Sequence, residues 1–158
     1  LEAGGTIVTI GSSTALARHL GIPLRSALTE MGEDGRPKSL GAERFFVPGS
    51  LLRVRLDGTN PLTAGMPEHI DVVFRKSPAF RLGPEAVLQG VRPVAWFDSD
   101  SPLRSGWAWG QAYLNDAVAV AEAPVGQGTL LLCGPEITLR AQSHGTFKLL
   151  FNGIYNSR

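Results

Sequence analysis

The stretch "GGTIVTIGSSTALARHLG", residues 4–21, constrains the fold more than any other. "TIVTI" (Thr6–Ile10) is short, β-branched and bounded by glycine, which suits a buried strand. "GSST" follows, where Ser12 or Ser13 can cap a helix by accepting an orphan amide hydrogen bond. Ala15, Leu16 and Leu20 are that helix's apolar positions; Gly21 ends it and Pro23 stands beyond. Strand, tight turn and helix together are the signature of an α/β domain.

Later runs extend the sheet. "SLLRVRLD" (Ser50–Asp57) alternates Leu52, Val54 and Leu56 with Arg53 and Arg55, the pattern of a half-exposed strand. "DVVF", "AFRL", "VRPVAWF", "AVAVAEA" and "TLLLCG" read as five more strands, and "GQG" between the last two fits a hairpin turn. "TEMGEDGRPK" (Thr29–Lys38) reads as a polar, mobile loop, and "GTNPLTAGMPEHI" as turn chemistry. "GTFKLLFNGIYNSR" predicts a terminal helix with Phe147, Leu150, Phe151 and Ile154 on one face. A chain of 158 residues, 43% hydrophobic, fills the core of one domain spanning residues 1–158.

Charge and hydropathy narrow the partners. Lys+Arg total 15 against Asp+Glu 14, with no basic cluster, so nothing favours nucleic acid. No apolar run is long enough for a membrane-spanning helix. The single cysteine, Cys133, excludes an internal disulfide. The first residue is Leu, and "LEAGG" reads as the end of a helix, so the chain is expected to be a piece of a longer protein. The first strands of an α/β sheet usually lie near its middle. Without upstream strands Thr6–Ile10 loses a neighbour, and its backbone groups want a partner such as a second copy of this chain.

Several residue groups can carry chemistry. His19, His69, His144 and Cys133 lack metal-ligand spacing, so no metal site is expected. Cys133, inside an apolar run, reads as a packed small hydrophobe. "IGSST" sits at a strand-to-helix turn, like a nucleophile elbow, but lacks G-x-S-x-G, which favours capping for Ser12 and Ser13. "GQG" is no phosphate loop, because no helix follows it. "WFDSDSPLRSGWAWGQAYL" gathers Asp98, Asp100, Arg104, Trp107 and Trp109, a pocket of aromatic walls and fixed charges or a loop held by its own salt bridge. Trp107 and Trp109 share one face if this segment is a strand. The C-terminal loop holds Glu136, Arg140, Gln142 and His144. Glu136 with His144 would be an acid/base pair, and Glu136 with Arg140 a brace.

On these residues the chain resembles two things. "LEAGGTIVTIGSSTALA" is similar to the elbow segment of class I glutamine amidotransferase-like domains, where a buried strand leads into a cysteine-bearing elbow. The resemblance puts Gly11 at the nucleophile position. "CGPEI" puts Gly134 where those enzymes carry His, leaving only Glu136 of the triad. Glycine offers no side chain to attack a carbonyl or move a proton. Longer stretches, "FFVPGSLLRVRLDGTNPLTAGMP" and "APVGQGTLLLCGPEITLRAQSHGTFKLLFNGIY" among them, resemble the C-terminal region of large bacterial zinc carboxypeptidase-like proteins of the peptidase M14 family. That implies a flavodoxin-like, class I glutamine amidotransferase-like three-layer sandwich, incomplete at its N-terminus, with a strand-rich mixed sheet. It implies an N-terminal peptidase domain as partner, zinc in that domain and no cofactor in this one, and a secreted or periplasmic parent. The function expected is a non-catalytic accessory domain. Residual serine hydrolase chemistry through Ser12 or Ser13 with His144 and Glu136 is one alternative, and small-molecule binding at Trp107 and Trp109 is another.

Overall fold

The computed structural model describes residues 1–142 and 144–156. Ser143, and the Ser157 and Arg158 that close the segment read as a terminal helix, lie outside the described residues. The fold is mixed α/β around one strand-rich sheet. Its main path runs β1 (Thr6–Ile10), β11 (Gly128–Cys133), β10 (Val118–Val125), β8 (Arg92–Trp96), β5 (Ser50–Leu56) and β6 (His69–Phe74). β7 (Phe80–Leu82) joins β10 and carries β2 (Leu24–Ser26), while β9 (Leu103–Ser105) joins β5. β1 runs parallel to β11 and the other pairings are antiparallel, so the sheet is mixed. Gly126 and Gln127 turn β10 into β11, with Val125 opposite Gly128 and Gly126 at φ +61°, a conformation glycine adopts freely.

Burial follows the strand periodicity. Along β5 Ser50, Leu52, Val54 and Leu56 are buried and Leu51, Arg53 and Arg55 exposed, as the alternation predicts. β11 is buried on both faces: Leu131 and Cys133 belong to one core cluster, Leu130 and Leu132 to the other. β10 supplies small residues to both, and irregular pairing with β8 around Val120 lets Ala119 and Val120 enter the same cluster. The larger core holds Phe74 and Phe97 edge-to-face at 6.0 Å, with Phe45 against Phe74 at the same distance.

The helices are short: α1 (Leu16–His19), α2 (Pro84–Leu88) and α3 (Phe147–Tyr155). They cover the sheet in patches, so the expected three-layer sandwich is not established. Where one helix capped by Ser12 or Ser13 and ended by Gly21 was expected, a 3-10 turn (Gly11–Ala15) precedes the single turn of α1. Thr29–Lys38 is not an open loop: β3 (Thr29–Met31) and β4 (Pro37–Ser39) form a hairpin closed by Gly32 N–H to Arg36 O at 2.8 Å. The face expected of α3 is rotated. Leu149 and Gly153 are buried, whereas Phe151 and Ile154 are 52% and 54% exposed. β1 lies at the sheet's border, and among the described residues it pairs only with β11. No described helix is long and apolar enough to cross a membrane.

Candidate functional site

β1 ends at Ile10, and the chain turns at Gly11 with φ +59°, in the left-handed region that favours glycine. Ser13 stabilises the turn from within. Its hydroxyl accepts the Ile10 N–H at 2.8 Å and donates to the Ile10 carbonyl at 2.8 Å. Thr14 Oγ1 donates to Gly11 O at 2.7 Å. The side chain of Glu136 arrives from the segment after β11, where its N–H donates to Val73 O at 2.9 Å. A Cβ built on Gly11 would stand 3.1 Å from Glu136 Oε1, so the carboxyl group faces the turn directly.

Gly134 is closed to side chains for a different reason. Its N–H donates to Ala119 O at 2.9 Å, and a Cβ there would overlap the Pro78 carbonyl oxygen and lie 3.1 Å from Ala119 O. Backbone fills the space an imidazole would need. Beside the turn opens a crevice of about 370 Å³, lined among others by Ser12, Arg18, Arg25, Pro78 and Phe80. His144 stands exposed ahead of α3 with its ring 5.4 Å from that of Phe147. Among the described residues no serine hydroxyl is hydrogen-bonded to an imidazole; the one side-chain partner of a histidine is an aspartate. The alternative dyad of Ser12 or Ser13 with His144 is therefore not assembled among the described residues, nor is Glu136 bonded to His144.

A second group of polar side chains converges where β5, β6, β9 and the β8–β9 connection meet. The β5–β6 register sets Arg53 opposite Asp71 and Arg55 opposite His69, all outside the core. His69 Nε2 lies 2.8 Å from Asp98 Oδ2, with both side chains about three-quarters buried. The hydrogen bond from His69 holds the Asp98 carboxyl below its ordinary value of 3.8; burial opposes this and the His69 and Arg55 charges assist it. Arg53, His69, Asp98, Ser99, Ser101 and Arg104 surround a pocket of about 270 Å³. The expected Asp98–Arg104 salt bridge is absent, although both residues line this pocket. Asp98 pairs with His69, and Arg104 Nε is 3.6 Å from Asp71 Oδ1. His69, dismissed on spacing alone, and Arg53 are the members that sequence reasoning missed. The outward arginines of "SLLRVRLD" were the available signal, since a hairpin partner must carry residues facing the same way.

The other expected residues are dispersed. Trp107 and Trp109 follow β9 on a loop instead of sharing a strand, and are 61% and 55% exposed. The loop is fastened at both tryptophans: the Trp107 backbone N–H donates to Ser50 Oγ at 2.9 Å, and the Trp109 indole Nε1–H donates to Glu43 O at 2.8 Å. Gln142 lines a separate cleft with Arg75 and Leu139. Arg140 is exposed at φ +47°, and no ion pair joins it to Glu136 among the described residues. Asp100 and Asp98 gather no further ligands, and the described residues contain no group of three or more His, Cys, Asp or Glu side chains suited to a metal. Cys133 is buried on β11, and burial pushes its thiol up to about 12.

No family model matches this chain. No curated protein matches it. Among solved structures the chain is similar to a ThuA-like protein from Bacteroides uniformis ATCC 8492, at 13% identity and a TM-score of 0.45. The match covers 97% of this chain and 58% of that one, so the chain spans little more than half the length of that structure. The expected place in a zinc carboxypeptidase-like protein of the peptidase M14 family is corrected: no family model matches the chain, and nothing shows it to be a domain of such a protein. The peptidase partner, the parent's zinc and the export inferred from that resemblance lose their basis with it.

Proposed function

We propose that residues 1–158 act as one non-catalytic interaction module built on an amidotransferase-like α/β frame. The observation that carries this reading is the overlap at Gly134. A catalytic imidazole cannot stand where the Pro78 carbonyl oxygen already sits. Gly11 supplies no nucleophile, and the neighbouring Ser13 hydroxyl is committed to Ile10 in both directions. The frame is supported by the parallel β1–β11 pair, the left-handed turn at Gly11 and the Glu136 carboxyl group facing it. Interaction is supported by the bordering strand β1 and by two indoles presented to solvent on a fastened loop. The test is a serine-directed fluorophosphonate probe followed by peptide mapping. The folded chain is expected to stay unmodified at Ser12 and Ser13. Stoichiometric labelling of either serine, abolished by unfolding, would defeat the reading.

A further inference from the structure

We propose that the pocket walled by Arg53, His69, Asp98 and Arg104 binds the phosphate group of a small phosphomonoester. This site is separate from the turn at Gly11 and does not depend on the reading above. Three features argue for an anion. Arg53 makes no ion pair among the described residues, and Arg104 has only a long one at 3.6 Å to Asp71, which is 42% exposed. The one carboxylate lining the pocket, Asp98, has its Oδ2 engaged by His69 at 2.8 Å. Asp71 stands opposite Arg53 in the β5–β6 register, and Glu68 is taken by Arg55 at 2.8 Å. The pocket therefore presents two guanidinium groups that no described carboxylate holds at hydrogen-bond distance, inside a concave wall.

The arrangement selects among anions. Arg53 projects from β5 and Arg104 from β9, neighbouring strands tied by Arg53 N–H to Pro102 O at 2.8 Å. His69 comes from β6, and the Ser99 and Ser101 hydroxyls from the connecting loop. Donors on separate elements suit a tetrahedral oxyanion, which accepts hydrogen bonds in several directions. A planar carboxylate is satisfied by a single guanidinium fork. A volume of about 270 Å³ leaves room beyond the phosphate for a small ester group.

The experiment is calorimetric titration of the whole chain, at neutral pH and low salt, with inorganic phosphate, glycerol 2-phosphate and acetate. Arg53→Ala, Arg104→Ala and Arg25→Ala are compared with the natural sequence. All three side chains are exposed, so truncation spares the core, and far-UV dichroism verifies folding. Saturable binding of both phosphates is expected, with acetate at least about tenfold weaker, a loss of about tenfold or more in each of the Arg53 and Arg104 variants, and no change in the Arg25 variant. The proposal is overturned by absence of saturable phosphate binding, by acetate binding as well as phosphate, by exclusion of the ester, or by undiminished affinity in either pocket variant. Loss in the Arg25 variant also overturns it, since that would place the ion in the crevice beside Ser12.

Discussion

Replacing Gly134 with alanine puts a methyl group where the Pro78 carbonyl oxygen already stands, with a second carbonyl, that of Ala119, 3.1 Å away. Both obstacles are backbone, so β11 or the 77–79 segment must shift, and Gly134→Ala is expected to cost about 3 kcal/mol in urea unfolding. Gly145→Ala, with nothing within 4 Å of the new carbon, is expected to stay within about 0.5 kcal/mol and serves as control. At Asp98 the folded-state carboxyl is depressed below 3.8 by its hydrogen bond from His69. Its stabilisation is therefore full above that value and is lost as pH falls through the folded pKa. The natural chain should exceed Asp98→Asn by about 1 kcal/mol or less near neutrality, and the gap should close in acid. A gap that widens on acidification would refute the pairing. Cys133, with its thiol pushed up to about 12, should resist iodoacetamide in the native state and react at the rate of unfolding. Its packed role was legible in "TLLLCG". The His69–Asp98 pair was not, because its members lie 29 residues apart and meet only through sheet pairing.

Strands were legible at the level of elements and the phase of the last helix was not. β5 is the clearest case, since alternating Leu, Val and Arg leaves one face for the core. α3 is ambiguous because Phe147, Leu149, Leu150, Phe151 and Ile154 supply apolar residues around more than one face. Its phase is decided by tertiary contacts. Gly153 allows close approach, a Cβ there meeting Leu131 at 3.3 Å and Val8 at 3.5 Å. Asn152 Nδ2 donates to Leu62 O at 2.8 Å and orients the same face inward. Leu149→Ala should therefore cost about 3 kcal/mol in chemical denaturation, while Phe151→Ala stays within about 0.5 kcal/mol. The reverse order would restore the phase read from the apolar pattern. The β3–β4 hairpin escaped notice because "TEMGEDGRPK" carries turn residues and few β-branched ones, and its pairing rests on backbone groups that composition does not report.

Across the whole molecule, the strand order could not be read from local patterns, because neighbours such as β1 and β11 are separated by most of the chain. β11 is buried on both faces, in keeping with its continuous apolar run. This predicts a graded opening. Amides of β10 and β11 should exchange with solvent only on global unfolding, whereas those of the β3–β4 hairpin, a separate two-stranded sheet with largely exposed residues, should exchange through local fraying. Native-state hydrogen exchange checks this, and uniform protection across both sheets would contradict it. The border position of β1 separates growth from packing. A further strand laid along Thr6–Ile10 would lengthen the sheet without displacing a residue of either core. The architecture should thus accept an added polypeptide on that flank, whereas the same addition at the β10–β11 seam would pull its two cores apart.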